Sequence, residues 1–230
     1  MKIAGFQKFS LIDYPGKISA IIFTQGCNFR CPYCHNPELV NSKLFTEILD
    51  EESILSFLKK RFGKLDGVVI TGGEPLLQSD LIEFVNEIKK IGYFVKLDTN
   101  GSYPEILERL LTENLIDYVA MDIKAPLEKY SDIAQVNIST EKIMKSIVML
   151  LNSNIDYEFR TTVVKPLLTE EDLISIAKLI KGAKRYVLQK FVKSKILDNS
   201  FATKAKFFSE NELNIIKEKI EKYVKECVVR

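Results

Sequence analysis

The sequence predicts an α/β fold of the partial TIM-barrel type, a (β/α)6 arrangement with six parallel strands. Two observations lead to this prediction. Short β-branched runs alternate with longer amphipathic stretches, and each strand-helix unit occupies roughly 25 to 40 residues. Successive β-α units favour a parallel sheet with right-handed crossovers. No linker, repeat or low-complexity segment interrupts the 230 residues, so we expect a single domain.

Six runs rich in β-branched and aromatic residues are the predicted strands. They cover Ile18 to Thr24, Gly67 to Thr71, Tyr93 to Asp98, Tyr118 to Asp122, Tyr157 to Val164 and Tyr186 to Phe191. These strands define a core from about residue 18 to residue 191. Residues 1–17 are interpreted as an N-terminal extension or hairpin, and residues 192–230 as a C-terminal appendage.

Helical periodicity lies between the predicted strands. The predicted helices cover Glu47 to Arg61, Ser79 to Ile91, Pro104 to Glu113, Thr140 to Asn152, Thr169 to Ile180 and roughly Ser209 to Cys227. End signals support them: Ser79 and Asp80 precede an apolar face that Gly92 ends, and Thr169 precedes three acidic residues at a positive helix end.

Composition excludes several classes of partner. Lys plus Arg total 33 against 31 acidic residues, and the net charge of +2 gives no general electrostatic case for nucleic acid or membrane binding. The N-terminus has no apolar region of secretory length, and no run approaches the roughly 18 apolar residues of a membrane span. We therefore expect a cytoplasmic protein that binds neither nucleic acid nor membrane.

Polar or metal-binding groups follow every predicted strand. In chain order they are the cysteine loop after Thr24, Gly72-Gly73-Glu74-Pro75, Asp98-Thr99-Asn100-Gly101, Asp122-Ile123-Lys124, the stretch from Arg160 to Lys165, and Gln189 with Lys190. In parallel α/β folds the loops at the carboxyl ends of the strands converge on one face. The sequence therefore predicts a single site that all six strand ends reach.

The cysteine loop, CNFRCPYCHNP from Cys27 to Pro37, admits three interpretations. A structural zinc site needs four ligands, and the nearby fourth candidate, His35, directly follows Cys34. A dithiol redox centre would use Cys31 and Cys34 and leave Cys27 without a role. An iron–sulfur cluster held by three thiolates would keep one iron open, as a reactive site requires.

Cys27-x3-Cys31-x2-Cys34, with Tyr33 before the last cysteine, resembles the signature of the radical S-adenosylmethionine superfamily. The resemblance implies a [4Fe-4S] cluster on Cys27, Cys31 and Cys34 whose fourth iron is chelated by the amino and carboxylate groups of S-adenosylmethionine. It also implies a radical SAM fold, with Tyr33 as a neighbour of the adenine. Gly72-Gly73-Glu74-Pro75 looks like the family motif that borders the amino end of the bound methionine. Glycines after a strand permit close backbone approach, and Glu74 offers an anionic acceptor.

A longer match narrows the resemblance. The run from Gly5 to Val40 is similar to the N-terminus of the glycyl-radical-enzyme activating enzymes, most closely the anaerobic ribonucleoside-triphosphate reductase activating proteins, and the similarity continues to about Phe191. It implies that Asp122 faces the amino group of S-adenosylmethionine, Lys124 its carboxylate, and that Asp98 with Thr99 forms a nearby polar or cation site.

Each assignment has an ordinary alternative. Asp98-Thr99-Asn100-Gly101 is also a turn and cap sequence, and Asp122 with Lys124 could be a surface ion pair. The guanidinium of Arg160 suits a carboxylate or a ribose contact. Gln189 is a weaker candidate, His35 is interpreted as shaping its loop, and Cys227 as a bystander.

The resemblance implies an oxidoreductase whose chemistry is carried by the cluster and S-adenosylmethionine, with no catalytic side chain. An external one-electron reductant such as flavodoxin or ferredoxin would reduce a single cluster, and the radical formed from S-adenosylmethionine would take a hydrogen atom from a glycine of a partner enzyme. The competing hypotheses are a radical enzyme acting on a small molecule or peptide, and a zinc or dithiol protein without radical chemistry. Six strands would also leave a lateral gap that admits a polypeptide loop.

Overall fold

The computed structural model describes residues 1–230 as an α/β fold with a mostly parallel sheet. The sheet has eight strands, and their order in the sheet follows the chain. The strands, numbered β1 to β8, are Ile3–Ser10, Ser19–Thr24, Gly67–Gly72, Phe94–Thr99, Tyr118–Asp122, Asp156–Val163, Tyr186–Lys190 and Cys227–Val229.

Nine α-helices connect or flank these strands. Numbered α1 to α9, they are Pro37–Val40, Glu51–Arg61, Leu81–Ile91, Pro104–Thr112, Tyr130–Ala134, Thr140–Leu151, Glu170–Leu179, Asn199–Lys204 and Glu210–Ile220. None of them combines the length and the apolar character needed to cross a membrane.

Contacts divide the chain into two compact units. The first unit comprises Met1–Asn28, Asn36–Thr99 and Tyr103–Val119. The second unit comprises Phe29–His35, Asn100–Ser102 and Ala120–Arg230. The organisation of the chain as one domain remains a prediction.

In the first unit, β1 pairs with β2 in antiparallel fashion, whereas β2 with β3 and β3 with β4 are parallel. Helix α3 shows how the sequence forms these elements: its buried side chains, Leu81, Ile82, Phe84, Val85 and Ile88, recur at helical spacing. Gly92 then ends the helix in the left-handed region, at a φ of 105°. Residues 1–17, predicted as an extension or hairpin, contain β1, which pairs with β2 outside that range.

In the second unit, β6 pairs with β7 and β7 with β8, both in parallel. Helix α7 begins with a capping box in which the Thr169 hydroxyl accepts from the backbone N–H of Asp172 and the Asp172 carboxylate accepts from that of Thr169. The Tyr130, Phe159 and Tyr186 side chains are fully buried and form part of the core of this unit.

The six predicted strands are confirmed, each end lying within one residue of its predicted position. The first predicted helix begins at Glu51 instead of Glu47, because the Asp50 side chain caps it by accepting from the backbone N–H of Ser53 at 2.8 Å.

The prediction of a last helix reaching Cys227 is wrong. Helix α9 ends at Ile220, and Cys227 begins the short strand β8. Val224 is buried one turn beyond Ile220 and so extends the helical pattern in the sequence. In the structure, pairing of β8 with Tyr186–Leu188 of β7 outweighs that local pattern.

The strand count also exceeds the six of the predicted β-α units. One additional strand, β1, lies before them and the other, β8, after them. The prediction of a lateral gap for a polypeptide loop depends on a count of six strands, and the eight-stranded sheet contradicts it.

Candidate functional site

The cysteine loop follows β2 directly. Its cysteines are free thiols: Cys31 is buried, while Cys27 and Cys34 are half-buried. A backbone bond from the N–H of Cys34 to the carbonyl of Cys31, at 3.0 Å, turns the chain between the two residues. The N–H of Leu197 donates to the carbonyl of Cys34 at 2.9 Å and so fixes the end of the loop. Burial raises the pKa of the Cys31 thiol to about 11.

The Gly-Gly-Glu motif is joined to the start of the cysteine loop within the first unit. The backbone N–H of Glu74 donates to the carbonyl of Gly26 at 2.8 Å, and that of Gly73 to the carbonyl of Thr24 at 2.9 Å. A Cβ on residue 73 would lie 1.9 Å from the Gly26 oxygen. The close approach predicted for these glycines is therefore an approach to the chain immediately before Cys27.

Glu74 and Thr99 connect the ends of β3 and β4. The Thr99 hydroxyl donates to Oε1 of Glu74 at 2.7 Å, and the same oxygen accepts from the backbone N–H of Leu76 at 3.0 Å. Glu74 is completely buried. Its buried carboxylate is thus stabilised by protein donors, as burial of a charge requires.

Asp98 lies next to Thr99 and is paired with a lysine. Its carboxylate forms an ion pair with the ammonium of Lys96, and its Oδ2 accepts from the Thr71 hydroxyl at 3.4 Å. Sequence patterns did not identify Lys96, because a lysine within a strand is ordinarily interpreted as facing solvent. The structure instead buries it.

Asp122, Lys124 and Arg160 form a charge cluster in the second unit. Asp122 Oδ2 lies 3.0 Å from Lys124 Nζ, and Oδ1 lies 2.8 Å from Arg160 Nε. Burial would raise the pKa of Asp122, but the two cations outweigh it and hold that pKa below its usual range. Burial likewise opposes the charge of Lys124, yet the Asp122 carboxylate raises the lysine pKa well above its usual value. The two cations sharing one carboxylate make a partly buried, positively charged cluster rather than a solvated surface pair.

Tyr33 lies in the same unit and is buried, with its hydroxyl lacking a hydrogen-bond partner. Burial, followed by the nearby Cys31, raises the pKa of Tyr33 well above its usual value. Tyr130, which sequence patterns did not identify, accepts at its hydroxyl from the backbone N–H of Lys124 and donates to the carbonyl of Asp122, both at 3.4 Å. In the sequence, the one feature that distinguishes Tyr130 is its position a few residues after the Asp-x-Lys segment.

The predicted site residues fall into two groups of six. The first unit holds Cys27, Gly72, Gly73, Glu74, Asp98 and Thr99, and the second holds Cys31, Tyr33, Cys34, Asp122, Lys124 and Arg160.

The remaining candidates have structural surroundings. The ring of His35 contacts the carbonyl of Val192 at 2.9 Å and stacks on Phe191, which agrees with a role in shaping the loop. Gln189 lies on β7 and is half-buried. Cys227 is buried on β8, and burial raises its pKa to about 12.

The donor chemistry fits an iron–sulfur cluster and S-adenosylmethionine. Three cysteines within eight residues supply thiolates, the ligands that such clusters take. The buried Tyr33 hydroxyl lacks the partner that a buried polar group ordinarily has. Among residues 1–230, no group of three or more histidine, cysteine, aspartate or glutamate side chains is arranged to hold a metal ion. The metal-centre prediction therefore rests on donor chemistry and spacing.

Comparison with protein families gives one match, to the radical SAM superfamily, over residues 21–180. That range covers the cysteine loop, the Gly-Gly-Glu motif, β4, β5 and β6.

Two relatives match over most of their length. A protein of Methanocaldococcus jannaschii, provisionally named the glycyl-radical enzyme activating enzyme MJ1227, is 38% identical over 99% of this chain and 95% of its own. The pyruvate formate-lyase 1-activating enzyme of Escherichia coli K12 is 30% identical over 71% of this chain and 68% of its own.

Solved structures show the same fold at low sequence identity. SuiB of Streptococcus suis, in a structure bound to S-adenosylmethionine, has a TM-score of 0.68 at 14% sequence identity. The match covers 89% of this chain and 48% of SuiB. TYW1, in a structure with a lysine-pyruvate adduct bound, has a TM-score of 0.61 at 16% identity over 90% of this chain and 74% of its own. The predicted radical SAM fold is confirmed by these likenesses together with the family match. By that match and by the two relatives, this chain belongs to the radical SAM superfamily, among the glycyl-radical-enzyme activating enzymes.

Proposed function

We propose that this protein generates a glycyl radical on a partner enzyme, using one [4Fe-4S] cluster and S-adenosylmethionine. The observation that carries the proposal is the bonding of the Gly-Gly-Glu motif to residues 24 and 26, immediately before Cys27. The Gly-Gly-Glu motif is thereby held against the chain that leads into Cys27, although the two stretches lie some forty residues apart in the sequence.

In this proposal the three cysteines of the loop hold the cluster, and one iron is left for S-adenosylmethionine. When bound, the two groups supply the reductive cleavage and the hydrogen-atom abstraction that initiate radical chemistry. An external one-electron reductant of the flavodoxin or ferredoxin kind supplies the electron.

The protein's own contribution is binding and orientation. Glu74 offers a carboxylate to an ammonium group, while Asp98 and Thr99 provide polar groups beside it. Lys124 and Arg160 offer cationic groups to a carboxylate or a ribose, with Asp122 holding both in place. Tyr33 offers a buried ring and hydroxyl to the adenine.

The partner enzyme is the finer part of the proposal. The sequence resemblance favours an anaerobic ribonucleoside-triphosphate reductase, whereas the name of one relative specifies pyruvate formate-lyase. We propose the reductase as the first partner to test, with pyruvate formate-lyase as the second.

The test is electron paramagnetic resonance on mixtures of the reduced, cluster-loaded protein, S-adenosylmethionine and each candidate partner. We expect a glycyl radical doublet with one partner and none when its radical-site glycine is replaced by alanine. Formation of 5′-deoxyadenosine with every partner tested but without a glycyl radical would contradict the proposal and favour a small-molecule or peptide substrate.

Cys27→Ala separates the cluster from the dithiol alternative. We expect this variant to lose the bound iron and all cleavage of S-adenosylmethionine, because only two thiolates of the loop remain. Cys227→Ala is the matched control, since it also removes one thiol, but a buried one that lies outside the loop. Retention of activity in Cys27→Ala, or stoichiometric zinc in the wild-type protein, would exclude the cluster.

A further inference from the structure

Lys96 is a buried lysine in the interior of a strand. It lies on β4, opposite Val69 of β3, and is only 2% exposed. Because side chains alternate across a strand, Lys96 shares a face with Asp98, while Val95 and Leu97 occupy the other face. An ammonium group is rarely buried unless it is paired, because its desolvation is costly. A specific interaction must therefore stabilise the buried ammonium of Lys96.

The partner of Lys96 is the Asp98 carboxylate. The Lys96 ammonium contacts Oδ1, and the Thr71 hydroxyl donates to Oδ2 at 3.4 Å, so both oxygens have a donor. The ammonium also lies 5.9 Å from the centre of the Tyr118 ring, a distance at which a cation and an aromatic face attract. All four residues belong to the first unit.

This ion pair lies beside the Gly-Gly-Glu motif. Thr71 immediately precedes Gly72, and Thr99, the residue after Asp98, donates to the Glu74 carboxylate at 2.7 Å. The ends of β3 and β4 are thus connected twice, once through Asp98 and once through Glu74. The Lys96 ammonium contacts the carboxylate of Asp98, which makes the first of these connections.

We propose that Lys96 is a positioning residue, whose buried ammonium keeps the Asp98 carboxylate ionised and oriented so that Asp98 and Thr99 can bind S-adenosylmethionine. The inference deepens the proposed function and rests on it for the identity of the ligand. The ion pair itself is a property of the protein without cofactors.

The first test follows the ionisation of Asp98 in the cofactor-free protein, by carbon-13 NMR of aspartate carboxyl groups. The spectra are recorded from about pH 9 to about pH 5.5, in the wild-type protein and in Lys96→Met. In Lys96→Met the carboxylate loses its cation but stays largely buried, so Asp98 should take up a proton at a higher pH than in the wild-type protein. Asp98→Asn identifies the resonance.

The second test measures the affinity of the cluster-loaded protein for S-adenosylmethionine across the same pH range. We expect Lys96→Met to bind roughly tenfold more weakly at pH 7, with the loss growing as the pH falls, because protonated Asp98 is no longer an anion. Lys89→Met is the matched control: it removes a lysine that contacts Asp117 at 2.8 Å in the same unit, outside the site.

The double variant Lys96→Met/Asp98→Asn distinguishes positioning from simple stabilisation. Removal of both charges should restore the melting temperature that Lys96→Met loses, because no unpaired buried charge remains, but it should not restore ligand affinity.

The proposal is overturned if Asp98 stays ionised in Lys96→Met, or if that variant binds the ligand as well as Lys89→Met. A wild-type protein that binds no S-adenosylmethionine would refute the proposed function, and the NMR titration would still decide whether Lys96 keeps Asp98 charged.

Discussion

At the scale of single residues, Gly73 shows that a motif glycine can be required by the protein as well as by a ligand. The backbone of Gly26 occupies the position of a side chain on residue 73, at a distance of 1.9 Å from a Cβ. A backbone oxygen cannot move aside as the end of a flexible side chain can. The glycine is therefore needed to bring the Gly-Gly-Glu motif against the start of the cysteine loop.

Gly73→Ala tests this requirement. We expect a loss of about 1–3 kcal/mol in unfolding free energy, typical of overpacking, together with weakened cluster retention because the chain before Cys27 must shift. Thermal melts and iron content after anaerobic reconstitution measure the two effects.

Gly63→Ala is the control for the loss of a glycine. Gly63 has a φ of 77° and no atom within 4 Å of an added Cβ, so alanine there adds only backbone strain of about 1 kcal/mol. Equal effects of the two substitutions on iron content would refute the special role of Gly73.

The site residues show how far sequence reasoning extends at this scale. Cys27, Glu74 and Asp122 could be predicted as candidates because motif spacing and strand ends point to them. Lys96 and Tyr130 could not be, because their roles depend on burial and on partners, which local sequence does not encode. The interaction of Glu74 with the Thr99 hydroxyl likewise depends on how β3 and β4 pair.

At the scale of elements, the strands were predictable and the C-terminal segment was not. The six strands between residues 18 and 191 are short β-branched runs separated by clear turn and cap signals. In the C-terminal segment, Leu213, Ile216, Ile220 and Val224 continue a helical pattern that the chain abandons after Ile220. The backbone N–H of Lys225 instead bonds to the carbonyl of Ala183 at 2.9 Å, and β8 then pairs with β7. Such non-local pairing overrides local periodicity.

The start of α9 yields a prediction about pH. The Lys165 ammonium, 2.6 Å from Glu212, and the donors of Ser209 lower the pKa of Glu212 to about 2. Because this value is below the roughly 4.3 of an unfolded chain, the ionised carboxylate stabilises the fold at neutral pH, and its contribution is lost as the pH falls from about 4.5 towards about 2. Glu212→Gln should therefore lower the melting temperature at pH 7.

Melting temperatures of the wild type and Glu212→Gln at several pH values measure this dependence. The difference between them should shrink as the pH falls below about 4.5. Glu210→Gln, which removes a charge from the same turn of α9 and a contact to Lys190 at 3.2 Å, should show a smaller effect at pH 7. A difference for Glu212→Gln that stays constant with pH would mean that the Lys165 and Ser209 contacts do not stabilise the charged form.

At the scale of the whole molecule, the chain matches a relative over 99% of its length and the radical SAM family over residues 21–180. With four cysteines in the sequence, three of them in the loop, the chain has thiolates for one cluster of this type. The near-balanced charge of +2 leaves recognition of a partner to local surfaces instead of a general field.

The central claim is that the three cysteines of one loop hold a cluster with an iron left open for S-adenosylmethionine. Electron paramagnetic resonance of the reconstituted, dithionite-reduced protein, recorded with and without S-adenosylmethionine labelled with nitrogen-15 at the amino group, tests it most directly. We predict a reduced four-iron cluster signal that changes when the ligand is added, and a nitrogen-15 coupling in the double-resonance spectrum. An unchanged signal without such coupling, or a protein that takes up zinc and no iron, would contradict the claim.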